Sequence, residues 1–292
     1  MARKLISFDW AIKKILRSKA NFDILEGFLS ELLFTDITIL EVLESESDKE
    51  DKDNKFNRVD IKVKDSDERI ILIEIQYSRE LDYLQRLLFA SSKAIGEHLD
   101  EGSAYADICK VISISILYFK FGQGNDYIYH GTTRFIGLHN HTELELSQEQ
   151  KQLYEVEKVF DIYPEYYLIE VKNFNDVAKD SLDEWIYFLK NSSIKEDFTA
   201  KGLKQAQEKL DVLKMDKQEH LAYEAHQQEL HHQASLYQST YVLGKLEGKE
   251  EGREEGRKET LLSTAKSMKV AGMETKMIIQ VTGLSLKEIE LL

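Results

Sequence analysis

Two polar residues set into an otherwise unbroken apolar run constrain this chain more than any other feature. Ile70-Ile71-Leu72-Ile73-Glu74-Ile75-Gln76 reads as a strand buried on both faces, yet Glu74 and Gln76 interrupt it at alternate positions. Upstream, Val59, Ile61 and Val63 alternate with Asp60 and Lys62, the period of a half-buried strand. The intervening Lys64-Asp65-Ser66-Asp67-Glu68-Arg69 is polar and closes a hairpin. Alternate residues of a strand share a face, and so do directly opposed residues of an antiparallel pair. A hairpin symmetric about Asp67 therefore sets Asp60 opposite Glu74 and gathers Asp60, Glu74 and Gln76 on one patch. A slip of one residue would send one strand's polar set to the other face. Two carboxylates in an apolar sheet are costly unless a cation pairs with them. A hard divalent ion such as Mg²⁺ would meet that need. A salt bridge from Lys62 or Arg58 would meet it as well.

Helices precede this hairpin. Leu5, Phe8, Ile12, Ile15 and Leu16 recur at helical spacing over residues 5–19, with lysines opposite. Asp9 lies beside that stripe, where a helix's first turn favours an acid. Residues 21–34 repeat the pattern, and Ile37 to Leu43 alternates as a first strand. Glu44 to Lys55 is a solvated charge run. After Gln76, Ser78 to Leu99 reads as a helix with Leu81, Leu84, Leu87, Leu88, Ser91 and Ile95 inward. Arg86 falls on it, either as an i, i+4 partner of Asp82 or as a group near the acids.

Val111 to Phe119 reads as a central strand. Gly122 to Asp126 is a turn before Tyr127 to His130. Residues 147–159 read as helix, Tyr166 to Val171 as strand, and Asp180 to Leu189 as an amphipathic helix carrying Trp185. Together these make a mixed α/β domain. His139 and His141 read as loop histidines, since a zinc site needs a third ligand. His220, His226, His231 and His232 fall in a Gln- and Glu-rich helical stretch from Ala200 to Leu243. His220 and His226 do not share a helix face, which argues against metal binding there.

The ordered set of these features resembles the PD-(D/E)XK nuclease family of transposases, whose members include recombination-promoting nucleases. Its carriers are Phe8-Asp9-Trp10-Ala11-Ile12-Lys13-Lys14-Ile15, Val59-Asp60-Ile61, Ile73-Glu74-Ile75-Gln76, Arg86, Gly102 with Tyr105, Leu182 to Leu189, and a tail ending Thr282-Gly283-Leu284-Ser285. The resemblance implies a restriction-endonuclease-like mixed sheet flanked by helices, with an all-helical C-terminal extension. It implies a metal-dependent DNA endonuclease linked to recombination or mobile elements. Asp60, Glu74, the Ile75 carbonyl and Asp9 would hold Mg²⁺, or Mn²⁺ in its place. Asp60, Glu74, Gln76 and Arg86 would carry the chemistry. Gln76 stands where the wider superfamily has lysine, and an amide can only orient water where a lysine would add charge.

The expected organisation is a core over residues 1–198, a helical arm over 199–243, a glycine-periodic segment over 244–257 and a small helix-turn-helix-like module over 258–292. Gly244, Gly248, Gly252 and Gly256 recur every four residues among charges. Such a stripe suits close helix–helix self-association, or else a flexible charged linker, because each helical glycine costs about 1 kcal/mol against alanine. Gly272 is expected as a C-cap, and Ser285 with Glu288 as a capping box. The last helix carries Lys287, Glu288 and Glu290, too acidic for a base-reading helix.

The net charge of −14 is awkward for a protein that grips phosphates. It is uneven, however. Residues 1–30 hold six basic residues against three acids, whereas residues 143–197 hold fourteen acids against six lysines. The competing expectation is a catalytically inactive, self-associating binding or regulatory protein on a nuclease fold. The single cysteine, Cys109, fits a reducing compartment, and the longest apolar run is far too short to span a bilayer. Both point to a cytoplasmic protein without a membrane partner.

Overall fold

The computed structural model describes residues 5–43 and 60–292, which divide into two compact units, Met1–Leu230 and His231–Leu292. The strand expected to begin at Val59 is β2, Ile61–Asp65; Val59, Arg58 and the charged run Glu44 to Lys55 lie outside the described residues.

The first unit is built on one six-stranded sheet. Its strands are β1 (Ile39–Leu43), β2, β3 (Ile70–Gln76), β4 (Val111–Leu117), β5 (Ile128–Gly131) and β6 (Glu165–Glu170), in the order β1-β2-β3-β4-β6-β5. β1, β2 and β3 are antiparallel; β3, β4 and β6 run parallel; β5 closes the far edge antiparallel. The parallel centre explains the apolar runs: all seven residues of β4 are buried. β2 and β3 pair in the register expected from a turn centred on Asp67, with Ile61 opposite Ile73 and Val63 opposite Ile71.

That register sorts side chains by face. Ile61, Val63, Ile71 and Ile73 enter the main core with α1 (Phe8–Lys14), α2 (Phe22–Leu33) and α5 (Ser181–Asn191). There Phe8, Phe28, Trp185 and Phe188 pack ring to ring at 5.5–6.1 Å. Ile70 and Leu72 face the other way, against Ala94 of α3 (Tyr83–Glu97). Glu74 and Gln76 continue this second set.

Helix α3 begins later than expected, and that turns its stripe. Tyr83, Leu87, Ser91 and Ala94 are buried, whereas Leu81, Leu84 and Leu88 are 89%, 56% and 60% exposed. Helix α1 is likewise shorter than residues 5–19, although Leu5 and Leu16 are still buried. The region after β5 includes α4 (Gln148–Tyr154), capped by Ser147. His139 and His141 lie in the loop before it, as expected.

Helix α6 (Leu203–Lys209) packs on α2 through bare backbone. A Cβ on Gly27 would fall 2.6 Å from the Gly202 Cα, and Gly202 itself sits at φ +84°. Helix propensity alone makes Gly27→Ala stabilising by about 1 kcal/mol. With backbone on both sides the clash wins, and the variant is expected to lose about 3 kcal/mol. Chemical denaturation reads the sign directly, and a stabilised variant would contradict this close approach.

Helix α7 runs from Lys217 to Val270, so residues 258–270 continue it and do not form a separate helix. Gly244, Gly248, Gly252 and Gly256 lie inside it, with open space where each Cβ would stand. In the second unit, α8 (Thr275–Thr282) and α9 (Leu286–Glu290) surround a small cluster of Ala265, Ile278, Leu284 and Ile289. Gly272 and Gly283 take positive φ at the helix ends, and Ser285 with Glu288 forms the expected capping box. Among the described residues no helix is long and apolar enough to cross a membrane.

Candidate active site

Asp60 stands immediately before β2, and its Oδ2 accepts a hydrogen bond from the Ile75 N–H at 2.6 Å. The hairpin therefore brings Asp60 against the Glu74-Ile75 step, as its symmetry requires. Of the two cations named as alternatives, Arg58 lies outside the described residues. Lys62 turns to Glu97 at 2.9 Å. Lys13 of α1 reaches Asp60 Oδ1 at 3.3 Å, and Arg86 of α3 pairs with Glu74. The side chain of Arg86 leaves Asp82 aside. It donates to both oxygens of Glu80 at 2.7 and 2.9 Å and lies over the Tyr83 ring, whose hydroxyl donates to Glu74 at 3.3 Å. Gln76 spends its amide N–H groups on the Ser78 carbonyl and Glu80, at 3.1 and 2.7 Å. Its oxygen faces Arg86 at 3.5 Å, so Gln76 braces the Arg86–Glu80 pair.

The cation partners do not fully offset burial. Burial raises the Glu74 pKa, Arg86 opposes, and the charges of Asp60 and Glu80 add to the rise, leaving it pushed up to about 7. Asp60 is also raised, first by burial and further by Asp9, against the pull of Lys13 and the Ile75 amide. The folded chain thus binds the Glu74 proton more tightly than the unfolded chain, whose value is near 4.5. This contribution to stability is full below about pH 4.5 and is lost as pH rises through about 7. Melting of the metal-free protein between pH 5 and 8 is expected to show the loss. Glu74→Gln, which cannot ionise, should flatten it; an unchanged slope would refute the assignment.

Asp9 lies in the first turn of α1, as the sequence suggests, but is fully buried there and not a solvent-facing acid. Its Oδ2 meets His226 Nε2 of α7 at 2.5 Å, and its Oδ1 is buried with no hydrogen-bond partner. Burial alone would raise its pKa, but the His226 contact, the Ser7 hydroxyl and Lys13 together outweigh burial and hold the carboxyl below its usual range. Sequence reasoning missed His226, because it asked only whether two histidines shared a helix face. It also took Lys13 for an outer lysine. The one available signal was that Lys13 follows Asp9 by a single helical turn.

A mixed sheet with a parallel centre, an acid entering one strand and Glu-x-Gln ending its neighbour define a PD-(D/E)XK, restriction-endonuclease-like fold. The family model of PD-(D/E)XK nuclease family transposases matches residues 6–240, and the chain belongs to that family. Comparison with curated proteins and with solved structures gives no match. Membership implies nuclease-like chemistry, and nucleases of this kind generally use divalent metals.

Among the described residues no three His, Cys, Asp or Glu side chains gather as a metal-holding group. The two oxygen donors at the hairpin still suit a hard cation, which takes one or two carboxylates and fills its shell with water and phosphate oxygens. Burial is the first cause of their raised pKa values, and a bound cation would favour the ionised forms against it.

Proposed function

We propose that this chain is a metal-dependent DNA endonuclease, hydrolysing phosphodiester bonds in recombination or in the traffic of mobile elements. The observation that carries the reading is the convergence of Asp60 and Glu74 across the β2–β3 hairpin in a chain of this family. Asp60 and Glu74 would hold Mg²⁺ or Mn²⁺, with Asp9 and the Ile75 carbonyl as further oxygen donors. Such an ion supplies Lewis-acid polarisation of a phosphoryl oxygen and lowers the pKa of water.

The chain's own groups do the rest. The Ile75 amide aims Asp60. Arg86, kept in line by Glu80 and Gln76, offers a planar fork of donors to a phosphate. Lys13, 38% exposed beside Asp60, adds positive charge at the rim. Gln76 holds Arg86 in place, and among the described residues Arg86 and Lys13 are the cations paired with the two carboxylates. The protein acts in the cytoplasm, and its copies associate through the C-terminal helices, where the glycine stripe of α7 leaves room for a second backbone.

One observation favours the second reading, a catalytically silent binding protein: each hairpin acid already has a cation partner. Plasmid cleavage with Mg²⁺ or Mn²⁺ at low salt, comparing the unaltered chain with Asp60→Asn and Glu74→Ala, separates the two. Cleavage lost in both variants supports the nuclease. No cleavage by the unaltered chain with either metal supports the silent protein.

A further inference from the structure

The first turns of α7 lie against α1, although the two are separated by more than two hundred residues of sequence. Three contacts join them in series. The Tyr223 hydroxyl accepts from the Ser7 N–H at 3.1 Å, Gln227 donates to the Ser7 hydroxyl at 3.2 Å, and His226 Nε2 meets Asp9 Oδ2 at 2.5 Å. Trp10 packs against both rings, at 5.8 Å from Tyr223 and 5.2 Å from His226. The imidazole is thus held between an indole and a carboxylate, with 18% of its side chain exposed. Tyr223 and Gln227 reach Ser7, whereas His226 is the group of α7 that meets the acid itself.

Asp9 needs such a holder. It is fully buried, and a buried carboxylate without a partner is costly. His226 satisfies one oxygen and leaves the other, Oδ1, with no partner. Asp9 also lies in the charge neighbourhood of the hairpin site. It adds to the rise of Asp60, and Lys13 acts on both acids. Where a carboxylate serves a cation, the group that hydrogen-bonds its second oxygen sets its orientation.

We propose that His226 is a positioning residue of the active site, fixing the Asp9 carboxylate through Oδ2 so that Oδ1 serves the cation centre of Asp60 and Glu74. This rests on the nuclease reading above and extends it, because the site is then incomplete without the start of α7. Through His226, the helix that carries the glycine stripe then begins beside the active site.

Mn²⁺ affinity of the full-length protein, measured by calorimetry without DNA, tests this apart from turnover. His226→Ala is expected to weaken Mn²⁺ about 10- to 100-fold, the usual effect of losing an outer partner of a metal ligand. His226→Gln, whose amide nitrogen stands near the place of Nε2, should recover most of that loss. Asp9→Asn should match His226→Ala, and combining the two should add little. Tyr223→Phe loosens the same helix without touching Asp9 and should leave the affinity unchanged. Equal affinity in His226→Ala and the unaltered chain, with both melting alike, would overturn the proposal while the nuclease reading stands. So would an equal loss in Tyr223→Phe, which would reduce the contact to helix docking. If the unaltered chain binds no Mn²⁺, the nuclease reading and this extension fall together.

Discussion

Plasmid cleavage is expected to fall by about a hundredfold or more in Asp60→Asn, with the fold intact. Losing even an outer partner of a metal ligand typically costs 10- to 100-fold, so removing a direct ligand should reach or pass the upper end of about 100. Asn suits the test better than Ala. The side chain of Asp60 accepts the Ile75 N–H at 2.6 Å, and an Asn oxygen can keep that bond. Alanine would leave the amide orphaned near the middle of the sheet, a cost of about 1–3 kcal/mol that would confuse folding with chemistry. The Lys13 ion pair is lost in either variant, but Lys13 is 38% exposed and such pairs contribute about 1 kcal/mol or less. Circular dichroism should therefore superimpose on that of the unaltered chain while Mn²⁺ binding and cleavage fall together. Undiminished cleavage in Asp60→Asn would remove the chemistry from this hairpin.

The largest expected effect on stability is at Trp185. It is completely buried, touches Phe8, Phe28 and Phe188 at ring distances of 5.6–6.1 Å, and donates its indole N–H to the Lys201 carbonyl at 3.0 Å. Trp185→Ala leaves both a cavity and an unpaired carbonyl. Large aromatic deletions cost about 3–5 kcal/mol, which at about 2–4 °C per kcal/mol lowers the melting temperature by roughly 6–20 °C. Leu81→Ala is the matched control. Leu81 is 89% exposed, despite a sequence pattern that places it inward, and its loss should change stability by no more than about 0.5 kcal/mol. If the two variants melted alike, the assignment of core and surface would be wrong.

The two sites differ in how far they could be read beforehand. The hairpin is local. Its strand period, its polar turn and its register all follow from some twenty consecutive residues, so Asp60 and Glu74 could be paired before any coordinates existed. The central strand β4 and the capping box at Ser285 were legible for the same reason. The inward face of α3 was not, because Leu81, Leu84 and Leu87 fit more than one helical stripe until the start of the helix is known. Tyr83 at the first turn decides the stripe by packing under Arg86 against the sheet.

By itself the sequence determined the fold class, the strand pairing that carries the acids and the family. Periodicity and turn chemistry act over a few residues and leave a local trace. Only the tertiary structure decided which cations meet those acids: Lys13 and Arg86 at the site, with Lys62 turned away to Glu97. It alone brought His226 to Asp9 across 217 positions. Charge pairing depends on which elements pack together in space, and a helix face read in isolation does not reveal what it will be packed against.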